Sequence, residues 1–220
     1  MPVAVKICGL STPESLNAAI DHGAAYVGFV FYPPSPRNIS PEKAGELTAM
    51  VPATAKKVGV FVNPDDSLLE EVLSAASLDI LQLHGSESPD RVREIREKFD
   101  RPVMKAIAVA GAEDIRAAKT YETSADMLLF DAKAPKNLEN ALPGGNGLAF
   151  DWQLIRDSQW SVPWMLSGGL DADNISEAIA TSAAEIVDVS SGVEVRPGEK
   201  DVHKIKAFIE ATKSKDKTHG

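Results

Sequence analysis

The stretch from Val3 to Phe31 reads VAVKICGLSTPESLNAAIDHGAAYVGFVF and holds one strand–helix–strand pattern. Short apolar runs at its two ends, Val3 to Ile7 and Tyr26 to Phe31, predict β-strands. Between them, the segment STPE at residues 11–14 supplies a helix cap, an early proline and an acidic first turn, and Gly23 ends the helix. The stretch therefore predicts two strands that run in parallel and are joined by a helix.

The same pattern recurs along the rest of the chain. Near-continuous apolar runs suit parallel strands that helices cover on both faces, and similar helix starts are predicted at Ser40, Asp65 and Asp171. The last amphipathic segment predicts a helix from Val202 to Thr212. The eight predicted strands are Val3 to Ile7, Tyr26 to Phe31, Lys57 to Val62, Ile80 to His84, Val103 to Ile107, Met127 to Asp131, Trp164 to Ser167 and Ile186 to Val189.

This repetition predicts the α/β class and a single (β/α)8 TIM barrel over residues 1–212. An open doubly wound sheet is the alternative, but a sheet of so many parallel strands is less common at this length. The stretch from Ala132 to Ala149 is rich in proline and glycine, and predicts a long mobile loop after the sixth strand. The polar tail at residues 213–220 is predicted to be disordered.

The composition argues against some classes of binding partner. The chain has 32 acidic against 23 basic residues and a formal charge of −9, which argues against nucleic acid or an anionic membrane surface as a partner. The sequence shows no signal peptide and no long apolar run, so we expect a cytoplasmic protein. A single cysteine excludes an internal disulfide and a cysteine-rich metal site. We expect a small-molecule substrate, and leave open whether the chain is a monomer or a homodimer.

A barrel of this kind keeps its chemistry at the carboxyl ends of its strands. Cys8 follows the first strand and Asp131 ends the sixth, so the two would face each other across the barrel mouth. A thiolate can act as base and a carboxylic acid opposite can donate a proton. Lys6 shares a face with Cys8, and we expect its charge to lower the pKa of the thiol toward working pH. The alternatives are a buried apolar cysteine and a structural acid that caps a turn.

Two glycine- and serine-containing segments follow the seventh and eighth strands. They contain Gly168 and Gly169 in the first, and Ser190, Ser191 and Gly192 in the second. Backbone N–H groups of such loops bind phosphate in many barrels, because glycine lets the backbone approach an anion closely. Each segment alone could be an ordinary turn, but together they predict a phosphate site.

Three further side chains are expected near the mouth. Arg37 lies on a proline-stiffened loop, where its guanidinium could form a bidentate pair with a substrate carboxylate; the alternative is an exposed solvating charge. His84, at the end of the fourth strand, is interpreted as a residue that lines the pocket. Asp188, at the end of the eighth strand, completes the candidate set.

Ten short motifs are spread along the chain: KICGL at 6–10, GFVF at 28–31, SPR at 35–37, VGVFVN at 58–63, LQLHG at 81–85, GNG at 145–147, FDW at 150–152, SGGL at 167–170, DVSSGVE at 188–194 and GEKD at 198–201. These motifs resemble those of the phosphoribosylanthranilate isomerase family. The match runs in order over almost the whole chain, and the combination of motifs is highly specific. Two departures from the family pattern are Leu10-Ser11-Thr12, which alters a helix cap, and a varied segment after Asp131.

This resemblance implies a (β/α)8 barrel without cofactor or metal, and an Amadori rearrangement in tryptophan biosynthesis. It implies that Cys8 is the general base and Asp131 the general acid. Arg37 would hold the anthranilate carboxylate, and Asp188 would supply a polar group near the reacting carbon. The two loops after the seventh and eighth strands would bind the phosphate.

Other functions remain open at this point. A ribulose-phosphate epimerase needs histidine and acidic metal ligands at several strand ends, whereas only His84 is so placed. An indoleglycerol-phosphate synthase would need catalytic Lys and Glu at strand ends. A non-catalytic barrel that binds a ribose phosphate would not need both Cys8 and Asp131.

Overall fold

The computed structural model of this 220-residue chain describes residues 2–133, 144 and 150–213. Within these residues, eight parallel strands close into a barrel in chain order. The strands are β1 (Ala4–Cys8), β2 (Tyr26–Phe31), β3 (Lys56–Phe61), β4 (Ile80–Leu83), β5 (Val103–Val109), β6 (Met127–Ala132), β7 (Trp164–Leu166) and β8 (Ile186–Val189). The helices are α1 (Pro13–His22), α2 (Pro41–Thr48), α3 (Asp66–Ala75), α4 (Pro89–Phe99), α5 (Ala112–Ala118), α6 (Gln153–Arg156), α7 (Ile175–Ser182) and α8 (Val202–Lys213).

The predicted closed barrel is confirmed, and the open sheet is excluded by the pairing of the first and last strands. Lys6 of β1 lies in register with Asp188 of β8 on one side, and with Tyr26 of β2 on the other. A strand paired on both sides leaves no sheet edge at β1. The same register places Lys6 directly beside Asp188 at the seam of the barrel.

Helix caps explain where most helices begin. Thr12 precedes α1 and its Oγ1 accepts the N–H of Ser15 at 3.2 Å, while Gly23 ends the helix with a left-handed φ of 97°. Ser40 and Asp65 cap α2 and α3 in the same way, as predicted. At the third predicted start, Asp171 accepts the N–H groups of Asp173 and Asn174, and the regular helix α7 begins four residues later, at Ile175.

Strand boundaries differ from the predictions by at most two residues, and two residues change assignment. Ala132 belongs to β6 rather than to the predicted loop, and Lys213 is the last residue of α8 rather than part of the tail. Residues 134–143 and 145–149 of the predicted loop lie outside the described residues, as does the tail at 214–220.

Apolar side chains fill the barrel and seal it against the helices. Inside, Val58, Met104, Leu129 and Met165 form a fully buried layer. A smaller cluster of Cys8, Val30 and Val60 packs separately. An interior filled with side chains is a packed core, which confines any ligand to the mouth of the barrel.

A hairpin between β8 and α8 was not predicted. A 3₁₀ turn at Ser191–Val193 leads into β9 (Glu194–Arg196), which pairs antiparallel with β10 (Glu199–Lys200). A side chain at Gly198 would collide with the carbonyl oxygen of Pro36, so the hairpin packs closely against the loop after β2. Gly198 also has a left-handed φ of 87°, which favours glycine there.

Among the residues that the structure describes, no helix combines the length and apolar character needed to cross a membrane. In the same part of the chain, no three His, Cys, Asp or Glu side chains gather as metal ligands would.

Candidate active site

A cavity opens at the carboxyl ends of the barrel strands. It lies where barrel enzymes keep their chemistry. The structure brings nine of the ten predicted site residues to its wall. These nine are Cys8, Arg37, His84, Asp131, Gly168, Gly169, Asp188, Ser190 and Ser191.

The thiol of Cys8 lies in a tight and largely apolar corner of this cavity. Val30 and Val60 pack beside it, with Tyr32 partly buried against them. On the neighbouring strand, a Cβ built at Gly28 would stand 3.0 Å from Sγ of Cys8. The absence of a side chain at Gly28 therefore leaves room for the thiol.

Lys6 acts to lower the pKa of Cys8, as expected, but it does not bring that pKa toward working pH. Burial raises the pKa of the thiol above its usual value of 9.0, although Lys6 acts in the opposite direction. Asp188 adds to the rise, and Lys200 opposes it. Lys6 has the predicted sign of effect, but desolvation outweighs it.

Lys6 and Asp188 form a buried ion pair at the floor of the cavity. Nζ of Lys6 donates to Oδ1 of Asp188 at 2.8 Å, and the lysine side chain is completely buried. Oδ2 of Asp188 accepts the hydroxyl of Ser167 at 3.0 Å. Burial works against the charged lysine, but Asp188 and Cys8 together outweigh it and raise the pKa of Lys6. Lys6 therefore stays an ammonium next to the thiol.

Asp131 stands at the end of β6, beside His84. Its Oδ1 accepts the N–H of Ala132 at 2.8 Å. Its Oδ2 lies 3.2 Å from Nε2 of His84, outside good hydrogen-bond geometry. Nδ1 of His84 is 3.0 Å from the side-chain nitrogen of Gln82. A Cβ at Gly144 would stand 2.6 Å from both Oδ2 of Asp131 and Nε2 of His84, so the backbone there covers this pair.

Arg37 is not the exposed charge that was the alternative to a substrate-binding role. It is 5% exposed, and its Nε and Nη2 donate to the two carboxylate oxygens of Glu194 at 2.7 and 2.8 Å. Nζ of Lys200 donates to the same carboxylate at 2.7 Å. Burial alone would raise the pKa of Glu194, but Arg37 and Lys200 outweigh it and lower that pKa.

The two predicted phosphate loops meet at one side of the cavity. Gly168 and Gly169 have left-handed φ angles of 91° and 62°, a conformation that favours glycine. The side chain of Asn174 donates to the carbonyl of Gly169 at 2.8 Å and holds this loop. Gly192 does not line the cavity; a side chain there would collide with the carbonyl of Leu170, so it lets the two loops pack together.

Sequence reasoning missed four residues around these groups: Gln82, Gly144, Glu194 and Lys200. Three of them lie in the motifs LQLHG, DVSSGVE and GEKD, which carried the resemblance but received no role for these positions. Their contacts join segments that are far apart in the chain, such as Arg37 and Glu194, 157 residues apart. Only the closed fold reveals those partners.

Comparison with known proteins gives a consistent result. A family model described as N-(5'-phosphoribosyl)anthranilate (PRA) isomerase matches residues 5–211. The N-(5'-phosphoribosyl)anthranilate isomerase of Paramagnetospirillum magneticum is 52% identical over 213 residues, which cover 97% of this chain and 98% of that protein.

Solved structures agree with this match. The phosphoribosyl anthranilate isomerase of Thermotoga maritima superposes with a TM-score of 0.84 at 40% identity, over 96% of this chain and 98% of that one. Another phosphoribosyl anthranilate isomerase, solved in complex with reduced 1-(o-carboxyphenylamino)-1-deoxyribulose 5-phosphate, gives a TM-score of 0.81 at 38% identity with the same coverage. The chain therefore belongs to the N-(5'-phosphoribosyl)anthranilate isomerase family.

Proposed function

We propose that this chain converts N-(5-phosphoribosyl)anthranilate into 1-(2-carboxyphenylamino)-1-deoxyribulose 5-phosphate, an aldose–ketose isomerisation of tryptophan biosynthesis. The observation that carries the proposal is that Cys8 and Asp131 line one cavity from β1 and β6, beside the glycine loops after β7 and β8. These are the acid and base that the reaction needs, next to loops suited to a phosphate. The reduced compound bound to one solved relative supports the same substrate class.

Asp131 is the general acid in this proposal. Because Oδ1 already accepts the N–H of Ala132, Oδ2, the oxygen next to His84, is the proposed proton donor. Asp131 donates this proton to the furanose ring oxygen. The bond between sugar C1 and that oxygen breaks, the ring oxygen becomes a hydroxyl, and C1 forms an iminium ion with the anthranilate nitrogen.

Cys8 is the general base of the second step. Its thiolate removes the proton from sugar C2, and the electron pair of that bond neutralises the iminium to give an enolamine. The enolamine then gains a proton at C1 and loses one from the C2 hydroxyl, which produces the ketone. Lys6 and Lys200 both favour the ionised thiol, against the burial that raises its pKa.

The cavity wall suits the anthranilate part of the substrate. Val30, Val60 and Tyr32 form an apolar surface on which an aromatic ring can pack. Arg37 borders the same cavity and is the proposed partner of the anthranilate carboxylate. Glu194 fixes the plane of the Arg37 guanidinium through two hydrogen bonds. The guanidinium can therefore orient the substrate carboxylate rather than act as a mobile charge.

The loops after β7 and β8 suit the phosphate. Gly168, Gly169, Ser190 and Ser191 line the cavity, and their backbone N–H groups are the proposed donors to the phosphate. Gly192 supports these groups by allowing the two loops to approach each other. An acidic protein can thereby hold an anion through local donors.

His84 and Asp188 complete the proposed binding site. His84 flanks the acid, with its ring held by Gln82. Asp188 is a polar group near the reacting carbon, and its pairing with Lys6 keeps it in place. We also propose that the substrate is a free small molecule and that the enzyme works in the cytoplasm, as a monomer or homodimer.

Fluorescence-monitored turnover tests the proposal. Freshly generated N-(5-phosphoribosyl)anthranilate is added to the protein in chelator-containing buffer, and the product is identified by chromatography against authentic aminoketose phosphate. We expect loss of the anthranilate-type fluorescence and formation of that product. Turnover of ribulose 5-phosphate, or closure of the aminoketose to an indole, would instead indicate an epimerase or a synthase. A folded protein that binds ribose phosphates without turnover would indicate a binding module.

A further inference from the structure

The hairpin of β9 and β10 buries a lysine that the proposed mechanism does not place in contact with substrate. The side chain of Lys200 is 1% exposed, whereas Val195 on the same hairpin is 63% exposed. Its Nζ donates to the carbonyl oxygen of Ser190 at 2.9 Å, to the hydroxyl of Ser190 at 3.1 Å and to Glu194 at 2.7 Å. An ammonium has three donors, and all of them are used here.

Through Glu194, this ammonium reaches Arg37. The carboxylate lies between the two cations, and Arg37 contacts both of its oxygens. The side chains of Arg37 and Glu194 are 6% and 4% exposed, so this contact is shielded from water. A carboxylate held from two sides in a shielded place has little freedom to move, and neither does the guanidinium bound to it.

Through Ser190, the same ammonium reaches the loop after β8 and the strand that carries the base. The hydroxyl of Ser190 accepts from Lys200 and donates to the carbonyl oxygen of Cys8 at 3.1 Å. Lys200 therefore contacts both Glu194, which holds Arg37, and Ser190, which belongs to the loop after β8.

We propose that Lys200 is a positioning residue for the isomerisation, whose ammonium sets the spacing between Arg37 and the loop after β8. These are the places proposed above for the carboxylate and the phosphate of the substrate, so the inference rests on the proposed function. The two anionic groups lie at opposite ends of one molecule. A shift of either partner would move the reacting carbon away from Cys8.

The test compares Lys200→Met with Lys204→Met. Lys204 lies exposed on α8, and its Nζ donates to the main-chain carbonyl of Glu194 at 2.8 Å rather than to the carboxylate. Each variant thus loses one lysine contact to Glu194. Only Lys200→Met also loses the link between Arg37 and Ser190. A misplacement of about 1 Å costs on the order of 100-fold in rate. We expect kcat/KM of Lys200→Met to fall by about that factor, mainly through kcat, and Lys204→Met to match the wild type.

The pH profile separates positioning from a loss of fold. Lys200 favours the ionised thiol of Cys8, so in Lys200→Met the limb of kcat/KM that reports thiol ionisation should move to higher pH. Lys200→Arg keeps the charge, and should keep both the fold and that limb while losing part of kcat/KM. Among the described residues, the charged or titratable groups that line this cavity with Cys8 are Tyr32, Arg37, His84, Asp131 and Asp188. Lys6 and Lys200 also act on the thiol.

Each result has one meaning. An active wild type together with wild-type kinetics and pH profile in Lys200→Met would overturn the positioning role. An equal loss in Lys204→Met would also overturn it, because anchoring of the hairpin would then explain the effect. If Lys200→Met does not fold, Lys200→Arg decides: full wild-type kcat/KM there would exclude a role for the geometry of the ammonium. Failure of the wild type to turn over the substrate would instead refute the proposed function.

Discussion

Replacing Lys105 with methionine should destabilise the barrel strongly, although this residue lies outside the cavity. Nζ of Lys105 donates to Oε2 of Glu87 at 2.9 Å, and the two side chains are 3% and 2% exposed. It also contacts the carbonyl oxygens of Leu83 and Gly85 at 3.3 and 2.8 Å. The ammonium thus joins β5 to the loop after β4.

The size of the destabilisation follows from the carboxylate of Glu87, which the substitution leaves buried without its counterion. Removing one partner of a buried ion pair costs about 3 to 5 kcal/mol, because the other charge stays buried without its counterion. Glu87 would keep the N–H groups of Asn63 and Gly85. We therefore expect the lower end, about 3 kcal/mol of unfolding free energy. At about 2 to 4 °C per kcal/mol for a chain of this size, the Tm should fall by about 6 to 12 °C.

Lys43→Met is the matched control. Lys43 pairs with Glu46 at 2.9 Å, but the two side chains are 38% and 69% exposed. Such surface pairs contribute about 0 to 1 kcal/mol. Equilibrium urea unfolding followed by circular dichroism, together with thermal midpoints, would compare the two variants. A loss in Lys105→Met no larger than in Lys43→Met would refute the reasoning, because the buried charge of Glu87 would then carry no cost.

Three further predictions follow from the site. The pKa of Glu194 lies below its usual value of 4.5 in the folded protein. Its ionised form therefore stabilises the fold above pH 4.5, and this stabilisation is lost as the pH falls through the lower folded pKa. Between these two pKa values, the free energy of unfolding of Glu194→Gln should depend less on pH than that of the wild type or of the surface control Glu46→Gln. Gly28→Ala should press on the thiol of Cys8, reduce turnover and cost about 1 to 3 kcal/mol in urea unfolding. Gly192→Ala should push apart the loops after β7 and β8, and raise KM for the phosphorylated substrate in steady-state assays.

Much of the fold could be predicted because each strand is buried on both faces. Runs such as Tyr26 to Phe31 are apolar throughout, and their bounds in the structure are the predicted ones. Predicted strand ends were wrong where burial alternates along a strand. Ala108 is exposed between buried neighbours, and β5 continues to Val109, two residues beyond the predicted end. The hairpin of β9 and β10 was missed because it is short and largely polar.

The candidate site, like the fold, could be predicted from the sequence only in part. Cys8 and Asp131 could be found because a barrel fixes where strand ends lie, independently of neighbouring side chains. The environment of those groups could not be found, because it depends on contacts between distant segments. Lys6 and Asp188 are 182 residues apart in the chain, and the burial that raises the pKa of Cys8 exists only in the folded barrel.

The central claim is that Cys8 and Asp131 are the base and the acid of one isomerisation. The most direct test is the initial rate with N-(5-phosphoribosyl)anthranilate for Cys8→Ser and Asp131→Asn, each checked for wild-type folding by circular dichroism. We expect both rates to fall by about 100- to 10,000-fold, the contribution of a positioned acid or base. A folded variant of either residue that keeps the wild-type rate would contradict the claim.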